Sequence, residues 1–135
     1  MRKLSIGELP VYRAAPPNVR DNLILVDGQV DAKNVSVGIG IYNEGQASEF
    51  HTHEGAEEVM IYLKGEGLMT MEDGTEVPLK RGDLTYVPAD ESHGLANTGK
   101  GEFVFLFIYS PMGAEEKIRK WDIVDGLSRA FDDLV

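Results

Sequence analysis

Short runs of β-branched and aromatic residues, each followed by glycine or another turn residue, recur along most of this chain. Such a pattern is typical of many short strands and few helices. The clearest strand candidates are NLILVDG, VSVGIGIYNEG, EEVMIYLKGEG, LMTMEDG, DLTYVPAD and EFVFLFIYS. The Asp73-Gly74 pair in TMEDGTEV predicts a tight hairpin turn. Because no helices alternate with these strands, we expect an all-β sandwich or barrel, and a chain of this size suits a jelly roll.

The last quarter of the chain follows a different period. In GAEEKIRKWDIVDGLSRAFDDLV, Ile118 and Trp121 are three residues apart and acidic residues precede basic ones, as in a short helix. The chain has 135 residues, of which 42% are hydrophobic, enough for one sizeable core and too few for two. We therefore predict one domain over residues 1–135, with a barrel core at about 35–110 and a C-terminal helical tail at about 113–135.

Composition limits the partners and the compartment that we expect. The chain has 13 Lys+Arg against 23 Asp+Glu, and its formal net charge of -10 would repel phosphate backbones and anionic lipids. We therefore expect neither nucleic acid nor a membrane as a partner. No apolar run approaches the roughly 20 residues that span a bilayer. The chain has no cysteine, which fits a reducing, cytoplasmic location and excludes thiolate metal sites.

The three histidines of the chain form a candidate metal site. His51 and His53, two residues apart, face the same side of an extended strand, so both imidazoles can reach one ion. Glu58 follows past Gly55, where the chain can turn and bring a carboxylate alongside. His93 comes after another turn signal, VPADESH. Three imidazoles and one carboxylate suit divalent Fe, Mn, Ni, Cu or Zn rather than Mg or Ca.

The spacing of the first group resembles a known family motif. The segment from Gly45 to Gly65 matches the first cupin motif, G-x5-H-x-H-x4-E-x6-G, with His51, His53 and Glu58 at its fixed positions. This match covers every fixed position of the motif, and it is specific for the fold and the metal site rather than for a reaction.

The second group is similar to the second cupin motif, G-x5-P-x-G-x2-H-x3-N. Gly82, Pro88, His93 and Asn97 occupy its fixed positions, and Asp90 stands where the motif has glycine. If that glycine serves a positive φ angle, aspartate is among the few residues that tolerate it, so we expect the turn to survive. We interpret Asn97 as a turn or backbone-binding residue.

The resemblance implies a small single-domain metal-binding cupin of the RmlC-like jelly-roll type. Its fold would be a double-stranded β-helix with one divalent transition metal ion per chain. Iron is favoured, and Mn, Ni, Zn or Cu are possible. The ligands that the resemblance implies are His51, His53, Glu58 and His93. Many such proteins are homodimers, so we also predict a homodimer.

The neighbouring Glu57 is an alternative to Glu58 as the ligand. If Glu57 faced the ion, strand alternation would turn the odd-numbered residues that follow it inward. With Glu58 as the ligand, Met60 and Tyr62 face inward instead. We favour Glu58 because its spacing to Gly65 fits the motif.

The donor set indicates two classes of metal chemistry. A divalent ion with one carboxylate and three neutral imidazoles keeps a net charge of about +1 and attracts enolates, carboxylates or reduced dioxygen. Redox-active iron would make the protein a dioxygenase, whereas a redox-silent ion would act as a Lewis acid in a lyase, isomerase or decarboxylase. The candidate catalytic acids or bases are Tyr42, Tyr62, Tyr109 and Glu49. A non-catalytic cupin that binds a small ligand is a further alternative.

Few basic residues occur in the strands that should line the barrel. Phe103, Phe105, Phe107 and Tyr109 alternate along one strand and are interpreted as core, with a pocket wall as the alternative. The basic residues cluster near turns, at Lys64, Lys80, Arg81 and Lys100. A phosphosugar would need a basic clamp. We therefore expect apolar pocket walls and a small, largely apolar or aromatic oxygenated substrate, which favours the dioxygenase.

Overall fold

Ten β-strands and four short 3-10 segments make up the structure, a computed structural model that describes residues 1–135. The strands are β1 (Tyr12–Arg13), β2 (Asp21–Val26), β3 (Ser36–Tyr42), β4 (Glu57–Lys64), β5 (Glu66–Met71), β6 (Glu76–Lys80), β7 (Leu84–Val87), β8 (His93–Asn97), β9 (Phe103–Ser110) and β10 (Asp122–Ile123). The 3-10 segments are Ile6–Glu8, Gly28–Val30, Ala114–Lys120 and Phe131–Leu134. No helical segment has the length and apolar character that crossing a membrane requires.

The strands form two antiparallel sheets. One has seven strands in the order β10-β1-β2-β3-β9-β4-β7, and the other has three in the order β6-β5-β8. Isolated bridges and shared core side chains join the two sheets into a double-stranded β-helix. The predicted all-β jelly roll is confirmed. All six predicted segments form strands, whereas β1, β6, β8 and β10 were not predicted. Strands β1 and β10 have only two residues each, β6 contains Pro78, and β8 (HGLAN) lacks the β-branched and aromatic residues typical of strands.

The aromatic side chains of β9 fill the interior of the barrel. Phe103, Phe105, Phe107 and Tyr109 are all at most 6% exposed, and the Phe103 ring stacks on Tyr62 with a centroid distance of 5.5 Å. The neighbouring strand β3 makes room for them, because a Cβ atom at Gly38 would lie 2.1 Å from the Phe107 ring. Small residues on β3 thus leave room for the large rings of β9 on the inner face of the seven-stranded sheet.

Two turns carry the backbone features that the sequence predicted. Asp73 and Gly74 lie in the connection between the paired strands β5 and β6, and Gly74 has φ of 86°. Asp90 has φ of 68°, so it takes the left-handed conformation expected at the glycine position of the second motif. The Asp90 carboxylate also accepts a hydrogen bond of 2.9 Å from the Gly55 backbone N–H. Asp90 therefore ties together the two loops that carry the histidines.

The C-terminal tail covers the barrel at two places. Its predicted helix is a 3-10 helix, Ala114–Lys120, in which the Trp121 N–H donates to the Ile118 carbonyl at 3.0 Å. Ile118 is 2% exposed and packs into the barrel core. Further on, Leu127 and Leu134 pack against the outer face of the large sheet. The tail thus covers one mouth of the barrel and part of its outer face.

Candidate metal centre

Pairing of two loops brings the histidines together. The backbone N–H groups of His51 and His93 each donate to the other's carbonyl oxygen at 2.9 Å. His93 begins β8, and His51 lies in the loop before β4. The candidate ligand nitrogens of His51, His53 and His93 all lie within 4.8 Å of one another. The three imidazoles, from segments 40 residues apart, therefore form one cluster that is able to hold a metal ion.

Backbone carbonyls orient two of these rings. The Nδ1 atom of His51 lies 2.8 Å from the Glu49 carbonyl oxygen, and that of His93 lies 3.0 Å from the Glu91 carbonyl oxygen. If Nδ1 carries the proton and donates to the carbonyl, Nε2 is left with a lone pair for a metal ion. Burial also lowers the pKa of His51 to about 4, so its ring is neutral at pH 7.

Glu58 completes the cluster from the inner face of β4. Its Oε2 atom lies 2.7 Å from His53 Nε2, and its Oε1 atom lies 3.7 Å from His93 Nε2. Burial alone would raise the pKa of Glu58, but the two imidazoles lower it to about 2, so the group is a carboxylate. Glu57 points outward and accepts a hydrogen bond from Tyr86. Strand alternation thus agrees with the predicted Glu58 rather than Glu57.

The cluster contains buried polar atoms that have no hydrogen-bond partner. His53 Nε2, His93 Nε2 and Glu58 Oε2 are all of this kind, because the short contact between His53 and Glu58 lacks hydrogen-bond geometry. Buried polar groups in native proteins are almost always satisfied, and a bound ion is one way to satisfy them. Three imidazoles and a carboxylate with these atoms turned toward one another fit a divalent transition metal ion.

We predict that Glu58→Gln lowers metal affinity far more than Glu57→Gln does. Loss of the buried charge removes one ligand and leaves an amide against two imidazoles, which should cost at least the roughly 10- to 100-fold in affinity that loss of an outer-shell partner costs. Glu57→Gln changes only an exposed carboxylate at the end of the same strand. Competition with a coloured chelator measures both affinities. The reverse ranking would assign the ligand to Glu57.

A cavity opens onto the histidine cluster inside the barrel. His51, His93 and Glu58 lie on its wall together with Met60, Phe105 and Phe107. The space that it offers to the centres of water-sized molecules is about 30 Å³. That is enough for about two water molecules, so a ligand that fits without displacing a wall must be small.

The predicted catalytic residues occupy different positions around this cavity. Tyr42 and Tyr109 line it, and burial raises the pKa of Tyr42 to about 12 and that of Tyr109 well above its ordinary value. The Tyr109 ring also lies against His53, with a centroid distance of 4.6 Å. Tyr62 does not line the cavity, and its hydroxyl forms a hydrogen bond of 2.8 Å with Thr85 Oγ1. Glu49 lies outside the lining, half exposed, 3.2 Å from Arg20. Their catalytic roles stay predictions.

Polar residues from outside the two motifs also line the cavity, so the expectation of purely apolar walls is wrong. Arg20 immediately precedes β2 and Asn22 lies in it, and Lys117 and Trp121 come from the tail. No local pattern marks them, because only the pairing of β2 with β3 and the fold-back of the tail bring them to the barrel interior. Their mixed polarity is the only signal of these four residues in the sequence.

Comparisons with known proteins agree with this architecture. A family model described as a cupin domain matches residues 38–109. Over 64 residues the chain is 38% identical to the oxalate-binding protein of Thermotoga maritima, covering 47% of this chain and 52% of that protein. It is equally identical, over 64 residues, to a glucose-6-phosphate isomerase of Pyrococcus horikoshii, covering 44% of this chain and 34% of the isomerase. The matches therefore span about half or less of these relatives.

Solved structures share the fold. The crystal structure of a predicted oxalate decarboxylase from Thermotoga maritima superposes with a TM-score of 0.73 at 24% identity, covering 82% of this chain and all of that one. Identity at this level supports a common fold and nothing finer. Because the family model spans more than half of the chain and includes both histidine motifs, this chain belongs to the cupin family.

Proposed function

We propose that this chain is a metal-dependent enzyme that acts on a small oxygenated organic metabolite as a lyase, isomerase or decarboxylase. The observation that carries the proposal is the cluster of His51, His53 and His93 with Glu58, whose orphaned buried atoms face one another beside a cavity. A divalent ion bound there would supply a Lewis acid to a substrate oxygen. Hydrogen-bond donation to the substrate and exclusion of water would be the work of the side chains of the cavity wall.

Two phenols can hold protons near a substrate. Tyr42 and Tyr109 are protonated at neutral pH, as any ordinary phenol is, and burial raises the pKa of each further. Each can therefore donate a hydrogen bond to a substrate oxygen on which negative charge develops. Phe105 and Phe107 exclude water from the same wall. An isomerase or decarboxylase needs both features, because its enolate-like charge must be stabilised and kept from side reactions.

The relatives favour Lewis-acid chemistry over oxygen chemistry. One is named as an isomerase and another as an oxalate-binding protein, and neither name implies the use of dioxygen. The dioxygenase prediction assumed apolar cavity walls, whereas Arg20 and Lys117 also line this cavity. The dioxygenase therefore becomes the second candidate. Because one relative is named as an oxalate-binding protein, a non-catalytic, ligand-binding role is the third candidate that the test below addresses.

The test is to reconstitute metal-free protein with ferrous iron, manganese, nickel or zinc and to assay each form with and without air. The substrates are a panel of hydroxy acids, dicarboxylates, diketones and catechols. We expect turnover that persists under strict anaerobiosis and does not require a redox-active metal. Turnover that needs both iron and dioxygen would establish the dioxygenase. Tight binding of a panel member with no turnover under any condition would favour a binding protein.

An exposed apolar surface supports the predicted homodimer. On the outer side of β4 and β7, Ile61 is 37% exposed, Leu84 61% and Tyr86 55%. Strand β7 is also the edge of the seven-stranded sheet, with unpaired backbone groups on one side. Such an edge next to apolar side chains is a liability unless another chain covers it. We propose a second copy of this chain as the covering partner.

We predict a dimer for the purified protein at micromolar concentration and a shift toward monomer in Leu84→Glu. A buried glutamate at a twofold interface would face its own copy, so repulsion and desolvation both oppose association. Val77→Glu is the matched control, since Val77 is an exposed apolar residue on the other sheet. Light scattering with size-exclusion chromatography measures both. A monomeric wild-type protein would contradict the prediction.

A further inference from the structure

The buried guanidinium of Arg20, a residue outside both motifs, forms part of the cavity wall. Arg20 immediately precedes β2, lines the cavity, and has a side chain that is only 5% exposed. Its Nη1 donates to the Asn18 carbonyl at 2.7 Å, and its Nη2 donates to Glu49 Oε1 at 3.2 Å. A guanidinium has five N–H donors. These two bonds therefore fix its position and leave donors for a ligand.

The flat face of the Arg20 guanidinium also packs against an aromatic ring. The Arg20 Cζ atom lies 4.8 Å from the centroid of the Trp121 ring, within the range of a cation-π contact. Trp121 itself follows the 3-10 helix of the tail and lines the same cavity. Stacking leaves the edge of a guanidinium, where its N–H groups lie, available for a planar anion. Arg20 is thus preorganised rather than mobile.

A second polar group on the same wall lacks a partner. Asn22 lies two residues after Arg20, is 7% exposed, and lines the cavity. Its side-chain oxygen is buried without a hydrogen bond. That oxygen only accepts hydrogen bonds and would need an N–H or O–H donor, whereas the N–H groups of the same amide are the ones that can donate to a carboxylate. Arg20 and Asn22, two residues apart, together offer guanidinium and amide N–H donors at one part of the wall.

The charge of this wall is positive although the chain is strongly acidic. Arg20 and Lys117 contribute two cations, and Glu49 is the one carboxylate in contact with them, at 3.2 Å and 3.9 Å. The wall therefore keeps one uncompensated positive charge. Glu58, the one acid that lines the cavity itself, lies among the histidines. An anion would be attracted to this wall even though the formal net charge of the chain is -10.

We propose that Arg20 and Asn22 form a carboxylate subsite, so that the substrate is a small organic acid whose carboxylate binds this wall while another oxygen group faces the histidines. In this subsite Arg20 is a specificity-determining residue, and Asn22 binds the same carboxylate beside it. The cavity has room for about two water molecules, so it admits an acid of a few carbon atoms only if part of the acid lies at the cavity mouth or a wall moves. This proposal deepens the proposed function and rests on it only for the end of the substrate that faces the histidines.

The test compares malonate with malonamide, its neutral counterpart of the same shape, by isothermal titration calorimetry on the 135-residue chain as purified and after zinc loading. We expect malonate to bind and malonamide to bind at least about tenfold more weakly, because charge-assisted hydrogen bonds to Arg20 are lost. Trp121 is the only tryptophan of the chain and stacks on Arg20. We therefore expect malonate, and not malonamide, to change its fluorescence.

Two variants and a control locate the effect. We expect Arg20→Gln to weaken malonate binding at least about tenfold, and Asn22→Asp, which keeps the side-chain shape and adds a negative charge, to weaken it similarly. Arg13→Gln is the matched control, because Arg13 pairs with Asp21 at 2.7 Å and does not line the cavity. Circular dichroism checks the fold of each variant. If Arg20→Gln does not fold, Asn22→Asp decides the question.

The outcomes separate this proposal from the proposed function. Unchanged malonate binding in folded Arg20→Gln, or equal binding of malonate and malonamide, would overturn the subsite and leave the metal enzyme intact. Protein that holds no metal but binds malonate in an Arg20-dependent way would support the subsite and count against the metal enzyme.

Discussion

The double variant His51→Ala/His53→Ala is expected to lose its metal ion completely at micromolar concentrations. Removing both imidazoles leaves His93 and Glu58, and two ligands hold a divalent transition metal ion far more weakly than four. Activity should fall to background with the metal. The measurement is elemental analysis of wild-type and variant proteins purified in parallel, together with equilibrium dialysis against added zinc.

Controls distinguish loss of ligands from loss of fold. His53 is 5% exposed beside Glu58, so its removal can also disturb packing. The variant His51→Gln/His53→Gln keeps polar groups of similar size and should also lose the metal, while its circular dichroism stays that of a β protein. Glu54→Ala, at an exposed position one residue further on, should keep its metal. Stoichiometric metal in a folded double variant would rule out this site.

Gly65→Ala is expected to be among the most destabilising single substitutions in the barrel. Gly65 closes the first motif between β4 and β5 and has φ of 78°, a conformation that costs alanine about 1–2 kcal/mol. Its Cβ atom would also lie 2.3 Å from the Glu102 carbonyl oxygen, a backbone atom that cannot rotate away. Overpacking adds about 1–3 kcal/mol. The total expected loss in the free energy of unfolding is about 2–5 kcal/mol.

Gly74→Ala separates the two causes. Gly74 has φ of 86°, but no atom lies within 4 Å of the position that its Cβ would take. It should therefore lose only the conformational part, about 1–2 kcal/mol. Urea denaturation followed by circular dichroism gives both free energies of unfolding. Equal losses in the two variants would show that the close approach of Gly65 to Glu102 is not what makes glycine necessary there.

The architecture of the candidate metal centre is the part that local sequence predicts best. Strand alternation from Glu58 through Met60 and Tyr62 assigns the inner face of β4, and the structure has all three buried. Asp90 illustrates the same point, because its side-chain chemistry predicts the positive φ that it adopts. These features depend on neighbours in sequence or on the spacing of a motif, so they can be read without knowledge of the fold.

The wall that faces the substrate depends on contacts that no local pattern encodes. Arg20 and Asn22 reach the cavity through the pairing of β2 with β3, and Lys117 and Trp121 reach it because the tail folds across the barrel mouth. Their positions follow from long-range packing. The expectation of apolar cavity walls failed for this reason, whereas the pocket-wall alternative for the β9 aromatics holds at Phe105 and Phe107.

The metal content and coordination of the wild-type protein, purified without added metal, test the central claim most directly. Elemental analysis should give close to one transition metal ion per chain. X-ray absorption spectroscopy at the edge of that metal should show imidazole nitrogens and carboxylate oxygen at about 2.0–2.2 Å, as expected for His51, His53, His93 and Glu58. Protein with only trace metal that also fails to take up zinc, manganese, nickel or iron, or a bound ion without imidazole ligands, would contradict the account.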